Sequence, residues 1–120
     1  MKVKRIVTNI KTTDPELGKD FYETIFGLDV AMDLGWIKTY ANVGNMPVQI
    51  SIATQGGSDT PVPDISIEVD DIETAINRIK KHNIKFEYGP IFEPWGVYRF
   101  YVRDPFGKLI NVIAHISNNQ

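Results

Sequence analysis

The sequence predicts an α+β fold of paired βαβββ modules, a cup-shaped, partly open β-barrel with its helices outside. Three observations predict it. Short runs alternate apolar and polar residues at a period of two. Two stretches carry apolar residues at helical spacing. The order strand–helix–strand–strand–strand occurs twice, offset by roughly half of the 120 residues.

The first strand is expected over Val3 to Thr12, with Ile6, Thr8 and Ile10 on one face and Val7, Asn9 and Lys11 on the other. Asp14-Pro15 opens a helix. Aspartate caps the first free N–H groups, and proline suits the first helical position because it has no N–H to leave unpaired. Leu17, Phe21 and Ile25 recur every four residues as an apolar stripe, and Gly27 ends the helix. Strands follow over Leu28 to Asp33, Trp36 to Ala41 and Val48 to Ala53, with turns at Leu34-Gly35 and Gly44-Asn45.

Gln55 to Pro63 is rich in glycine, proline and polar residues and reads as a linker. The same order then returns. Asp64 to Val69 alternates Ile65, Ile67 and Val69 with Asp64, Ser66 and Glu68. Asp70-Asp71 caps a second helix carrying Ile72, Ala75, Ile76 and Ile79. Lys80, Lys81 and His82 lie in its last turn, where cations suit the helix dipole, and Asn83 ends it. Closing strands are expected over Ile84 to Tyr88, Val97 to Arg103 and Leu109 to Ala114, with Asp104-Pro105-Phe106-Gly107 as the tight turn before the last. The chain therefore reads as one domain, residues 1–120, of two modules, about 3–54 and 63–115.

Composition narrows the function. There is no cysteine, which removes disulfides, thiolate metal sites and cysteine nucleophiles. The formal charge of −2, without a dense Lys/Arg patch, gives no support for a nucleic-acid partner. No apolar run approaches membrane-spanning length and no secretory segment follows the basic start, so a cytoplasmic location without membrane association is expected.

Arg5-Ile6-Val7 through Thr13-Asp14-Pro15, then Phe21-Tyr22 and Phe26-Gly27-Leu28, resembles the opening of a vicinal-oxygen-chelate module, the glyoxalase/bleomycin resistance/dioxygenase group. Ile67-Glu68-Val69-Asp70-Asp71-Ile72 resembles the opening of a second. Tyr101 to Ile110, through Asp104-Pro105-Phe106-Gly107, resembles the family's strand–turn–strand signature. Metal-using members place two His/Glu-type ligands in each module. The corresponding positions here are Val7, Gln49, Asp64 and Asn111, and none is histidine or glutamate. Valine has no donor, and neutral amides are poor ligands for zinc, iron or manganese. The resemblance thus implies no metal and no cofactor. Phe92-Glu93-Pro94-Trp95-Gly96, followed by Tyr98-Arg99-Phe100-Tyr101, resembles the bleomycin-resistance branch, which sequesters a ligand in the same cup.

The candidate ligand-binding residues are Trp36, Tyr40, Gln49, Asp64, Trp95, Tyr98, Tyr101 and Asn111. The aromatics offer faces for a planar ligand, and the tyrosine and tryptophan heads offer hydrogen bonds. Asp64, Glu68 and Tyr101 are the catalytic candidates; two carboxylates on one strand face favour a cationic ligand or hold a proton. The same residues could equally be core, an interface or a solvated strand face. His82 and His115 pair with nothing recognisable in the sequence. The expected function is metal-independent binding of a small aromatic or cationic organic molecule by a homodimer. The alternative is a glyoxalase-like lyase or isomerase, or a dioxygenase-type enzyme, using a marginal metal site or a carboxylate base. A partner-binding scaffold is the third reading.

Overall fold

A computed structural model describes residues 1–42 and 49–116. Val48 and the Gly44-Asn45 turn lie outside the described residues, as does the Ser117–Gln120 tail. Among the described residues the chain is α+β, and the βαβββ order occurs twice. The elements are β1 (Val3–Lys11), two short helical segments (Pro15–Gly18 and Lys19–Ile25), β2 (Asp29–Asp33), β3 (Ile37–Ala41), β4 (Gln49–Ala53), β5 (Ile65–Val69), α1 (Ile72–Lys81), β6 (Tyr88–Glu93), β7 (Val97–Arg103) and β8 (Leu109–His115). None of the described helices is long and apolar enough to cross a membrane. The chain packs as two compact units, one of residues 7–62 and one of residues 1–6 with 63–120.

In the first unit the strands run β2-β3-β4-β1. β4 is antiparallel to β3 and parallel to β1, with Thr8 opposite Ile50 and Lys11 opposite Ala53. The helical segment begins as expected: the Asp14 carboxylate accepts the Glu16 N–H at 3.0 Å. It does not continue as the regular α-helix that its apolar spacing predicts. Pro15–Gly18 is a 3-10 turn and Lys19–Ile25 has π geometry. The Leu17, Phe21 and Ile25 stripe is exposed. Buried polar groups explain which side faces the sheet. Lys38 on β3 is buried and needs a counter-charge; its Nζ lies 2.7 Å from Glu16 Oε1 and 3.5 Å from Glu23 Oε2. The Tyr40 hydroxyl donates to Glu23 at 2.8 Å, and its ring stacks on Tyr22. These contacts turn the polar side of the segment inward and its apolar stripe outward.

In the second unit the strands run β5-β8-β7-β6, with β5 parallel to β8 and β8 antiparallel to β7. Residues 1–6 join this unit; Lys2 and Asp70 exchange two hydrogen bonds. Helix α1 is the regular one. The Asp71 carboxylate caps it by accepting the Thr74 N–H at 3.1 Å. Ile72, Ala75 and Ile76 from α1 pack on Val69, Phe100, Val102, Ile110 and Val112. Burying each large apolar side chain contributes about 1.5–3 kcal/mol, so this cluster is the unit's main source of stability.

One strand departs from expectation. Ile84 to Tyr88 reads as a strand, but β6 occupies Tyr88–Glu93 and crosses Gly89-Pro90, a cis peptide. Pairing with β7 shifts register between Tyr88 and Ile91. Gly89 makes this possible: its φ is +74°, and a Cβ there would lie 2.6 Å from the Arg99 carbonyl oxygen. Phe86, expected within the strand, instead meets Phe100 edge-on.

Candidate functional site

Strand alternation sorts the second unit into two faces. One carries Ile65, Ile67, Val69, Tyr98, Phe100, Val102, Ile110 and Val112 toward α1. The opposite face carries Ser66 and Glu68 from β5, Asn111, Ile113 and His115 from β8, and Val97, Arg99 and Tyr101 from β7. Ser66, Asn111, Tyr101 and Tyr88 form one row across four strands in register.

At the centre of this face is a buried charge. Arg99 is only 2% exposed. Its Nε and Nη2 each lie 2.7 Å from Glu93 Oε2, and its Nη1 donates to the Tyr101 hydroxyl at 3.1 Å. The Tyr88 hydroxyl donates to the same Glu93 oxygen at 2.9 Å. The rings of Tyr88, Trp95 and Tyr101 surround the guanidinium, their centroids 5.3, 5.1 and 4.9 Å from its carbon. The pairing answers the cost of desolvating the charge, and the ring faces add cation–π attraction. Beside Tyr101, Asn111 is buried. Its Nδ2 donates to Ser66 Oγ at 3.1 Å, while its Oδ1 has no hydrogen-bond partner among the described residues.

The predicted site residues therefore separate. Tyr101 and Asn111 are neighbours, and Trp95 joins them through Arg99. Tyr98 lies on the opposite face, stacked on Phe92 at 4.2 Å between centroids. The Asp64 carboxylate accepts the Leu109 N–H at 2.8 Å, a backbone-fastening role. Glu68 is buried and paired with Arg5, Lys4 and His115. Trp36, Tyr40 and Gln49 belong to the first unit. There Tyr40 is fully buried and bound to Glu23, Trp36 is half-buried with its carbonyl accepting the Thr54 N–H, and Gln49 is half-buried opposite Ala41. Sequence reasoning missed Arg99, Glu93 and Tyr88 as a cluster. The available signal was an arginine at an interior position of the aromatic strand Tyr98-Arg99-Phe100-Tyr101, which requires a buried partner.

The residues at the family's metal positions do not fit a divalent transition ion. Val7 offers no donor, Gln49 and Asn111 offer only neutral amides, and the Asp64 carboxylate already accepts a backbone hydrogen bond. Among the described residues no group of three His, Cys, Asp or Glu side chains is placed to hold a metal ion.

The sequence matches the Glyoxalase/Bleomycin resistance protein/Dioxygenase superfamily over residues 4–112, and the chain belongs to that superfamily. No curated protein matches it. Solved structures share the fold. A superfamily member from Vibrio splendidus is 18% identical with a TM-score of 0.65, covering 96% of this chain and 100% of that one. A Legionella pneumophila chain described as NAD-dependent benzaldehyde dehydrogenase is 13% identical with a TM-score of 0.72, covering 92% of this chain and 99% of that one. Methylmalonyl-CoA epimerase from Mycobacterium tuberculosis is 10% identical with a TM-score of 0.63, covering 96% and 88% respectively.

Proposed function

We propose that the protein binds a small organic molecule without a metal, on the polar face of its second unit. The observation that carries this reading is the Asn111 Oδ1 atom. A buried acceptor without a partner costs about 1–3 kcal/mol, and a ligand N–H or O–H would recover that energy. Tyr101, opposite Asn111 on β7, is itself buried, and half-buried Trp95 across Arg99 supplies the aromatic surface for a planar ligand. The ligand class is therefore a planar, donor-bearing molecule. A cationic ligand has less support, because Asp64 and Glu68 are already engaged. The donor set at Val7, Gln49, Asp64 and Asn111 favours this reading over metal-assisted lyase, isomerase or dioxygenase chemistry.

The outward Leu17, Phe21 and Ile25 stripe, with Phe26 beside Phe21, supports the homodimer reading, since exposed apolar surface of this kind marks interaction sites. A cytoplasmic location remains part of the proposal.

Tryptophan fluorescence titrated with planar compounds, with and without an N–H or O–H donor, tests the binding site. Saturable quenching by donor-bearing compounds, weakened about tenfold by Asn111→Leu in a folded protein, is expected. Equal binding to the Asn111→Leu variant would refute the assignment.

A further inference from the structure

The opposite end of the same strand face carries a second arrangement, which does not depend on the Asn111 site. Glu68 of β5 is buried, its side chain only 8% exposed. Arg5 Nε bonds to its Oε1, while Lys4 Nζ lies 3.7 Å and His115 Nδ1 lies 2.9 Å from its Oε2. Burial pushes the Glu68 carboxyl up. The hydrogen bond from His115, together with the charge and hydrogen bond of Arg5, outweighs burial and holds it below the usual carboxylate range. Near neutral pH Glu68 is therefore a carboxylate and can only accept.

That fixes the imidazole. The hydrogen between the two groups must sit on His115 Nδ1, so the neutral ring keeps its lone pair on Nε2. The His115 side chain is 52% exposed, and Lys4 beside it is 57% exposed. Carboxylate, imidazole and two cations thus converge from β5, β8 and the start of β1. Val97 is the β7 residue opposite His115 and brings no charge. His115 stands four residues along β8 from Asn111, about 13 Å away in an extended strand.

We propose that His115, oriented by Glu68, is a proton-accepting site for a weakly acidic phenol or enol, which it binds as the anion. The ligand O–H bond breaks and its electron pair stays on oxygen. The proton forms the Nε2–H bond, and the imidazolium is held between the Glu68 carboxylate and the ligand oxyanion. Lys4 and Arg5 add positive charge on the same side. The exchange is a proton transfer only and needs no oxidant or reductant.

The probe is 4-nitrophenol, whose coloured phenolate reports its own ionisation. Just below neutral pH, addition of the full-length protein is expected to raise the phenolate band saturably. His115→Gln should weaken apparent affinity about tenfold, and His82→Gln should leave it unchanged. Nitrogen NMR of the wild-type protein should show His115 in the single Nδ1-protonated tautomer. Glu68→Leu should lose that single tautomer if it folds; if it does not fold, the wild-type spectrum decides. No phenolate band, an equal band with His115→Gln, or a bare Nδ1 in the wild-type protein would each overturn the proposal. His115→Gln should leave the tryptophan-fluorescence response to planar donor-bearing compounds unchanged, so failure of the Asn111 site and failure of this one are distinguishable.

Discussion

Arg99 places both Nε and Nη2 on one oxygen of Glu93, each at 2.7 Å, with both side chains buried. Removing either partner takes a counter-charge away from a buried ionised group. Glu93→Gln or Arg99→Met is therefore expected to destabilise folding by about 3–5 kcal/mol, read as a lower midpoint in urea unfolding. Replacing both with methionine should cost less than the sum of the single changes, because no buried charge then remains without its ion-pair partner of the wild type. A strictly additive double variant would mean that the pair is not coupled. Phe106→Ala, at a turn position that is 83% exposed, should fall within about 0.5 kcal/mol of wild type.

Glu68 makes stability depend on acid. Its folded carboxyl titrates below its unfolded value, through His115 and Arg5 acting against burial. The unfolded chain therefore binds this proton first as pH falls. The resulting stability is fully present above the ordinary glutamate range and is lost as pH falls through the depressed folded value. Denaturation series below about pH 5 should show this slope, and Glu68→Gln should flatten it. An unchanged slope in the Gln variant would assign the acid sensitivity to other carboxylates.

Much of the second unit was legible because local and long-range signals agree there. Asp71 caps, Ile72, Ala75 and Ile76 face inward, and β7 and β8 fall where alternation places them. The first helix was less legible. Its Leu17, Phe21 and Ile25 periodicity is real, but buried Lys38 and Tyr40 draw Glu16 and Glu23 toward the sheet and turn the stripe outward. No local pattern contains that instruction, since the partners lie on β3. β6 departs from the expected Ile84 to Tyr88 for a similar reason: it runs through Gly89, which the close approach of the Arg99 backbone accommodates within a strand. At the site, alternation put Ser66, Glu68 and Asn111 on the polar face. The pairings of Glu93 with Arg99 and of Glu68 with His115 required the strand register.

Tyr40 should ionise late. Burial, then its hydrogen bond to Glu23, push its hydroxyl up to about 12, although Lys38 pulls the other way. An unfolded tyrosine titrates near 10, so its folded-state contribution is present below about pH 10 and lost as pH rises through about 12. Spectrophotometric titration of phenolate formation should show a late-titrating group that disappears in Tyr40→Phe. Disappearance of no group would show that another tyrosine carries the shift.

The outward apolar stripe gives the remaining prediction, which concerns assembly. Leu17, Ile25 and Phe26 are 71%, 66% and 63% exposed, and Phe21 is 51% exposed with its ring against Phe26. Each side chain left in water forgoes about 1.5–3 kcal/mol of burial energy, so covering them favours association. Because the stripe is exposed, a charge there should disturb association more than folding. Light scattering on the full chain should find a dimer, and Phe21→Glu with Ile25→Lys should shift it to monomer while far-ultraviolet circular dichroism stays unchanged. A wild-type monomer, or a dimer that persists in the double variant, would remove this stripe from the interface. If the ligand face is complete within one chain, the monomeric variant should still bind with wild-type affinity, because Asn111, Trp95 and Tyr101 all belong to the other unit.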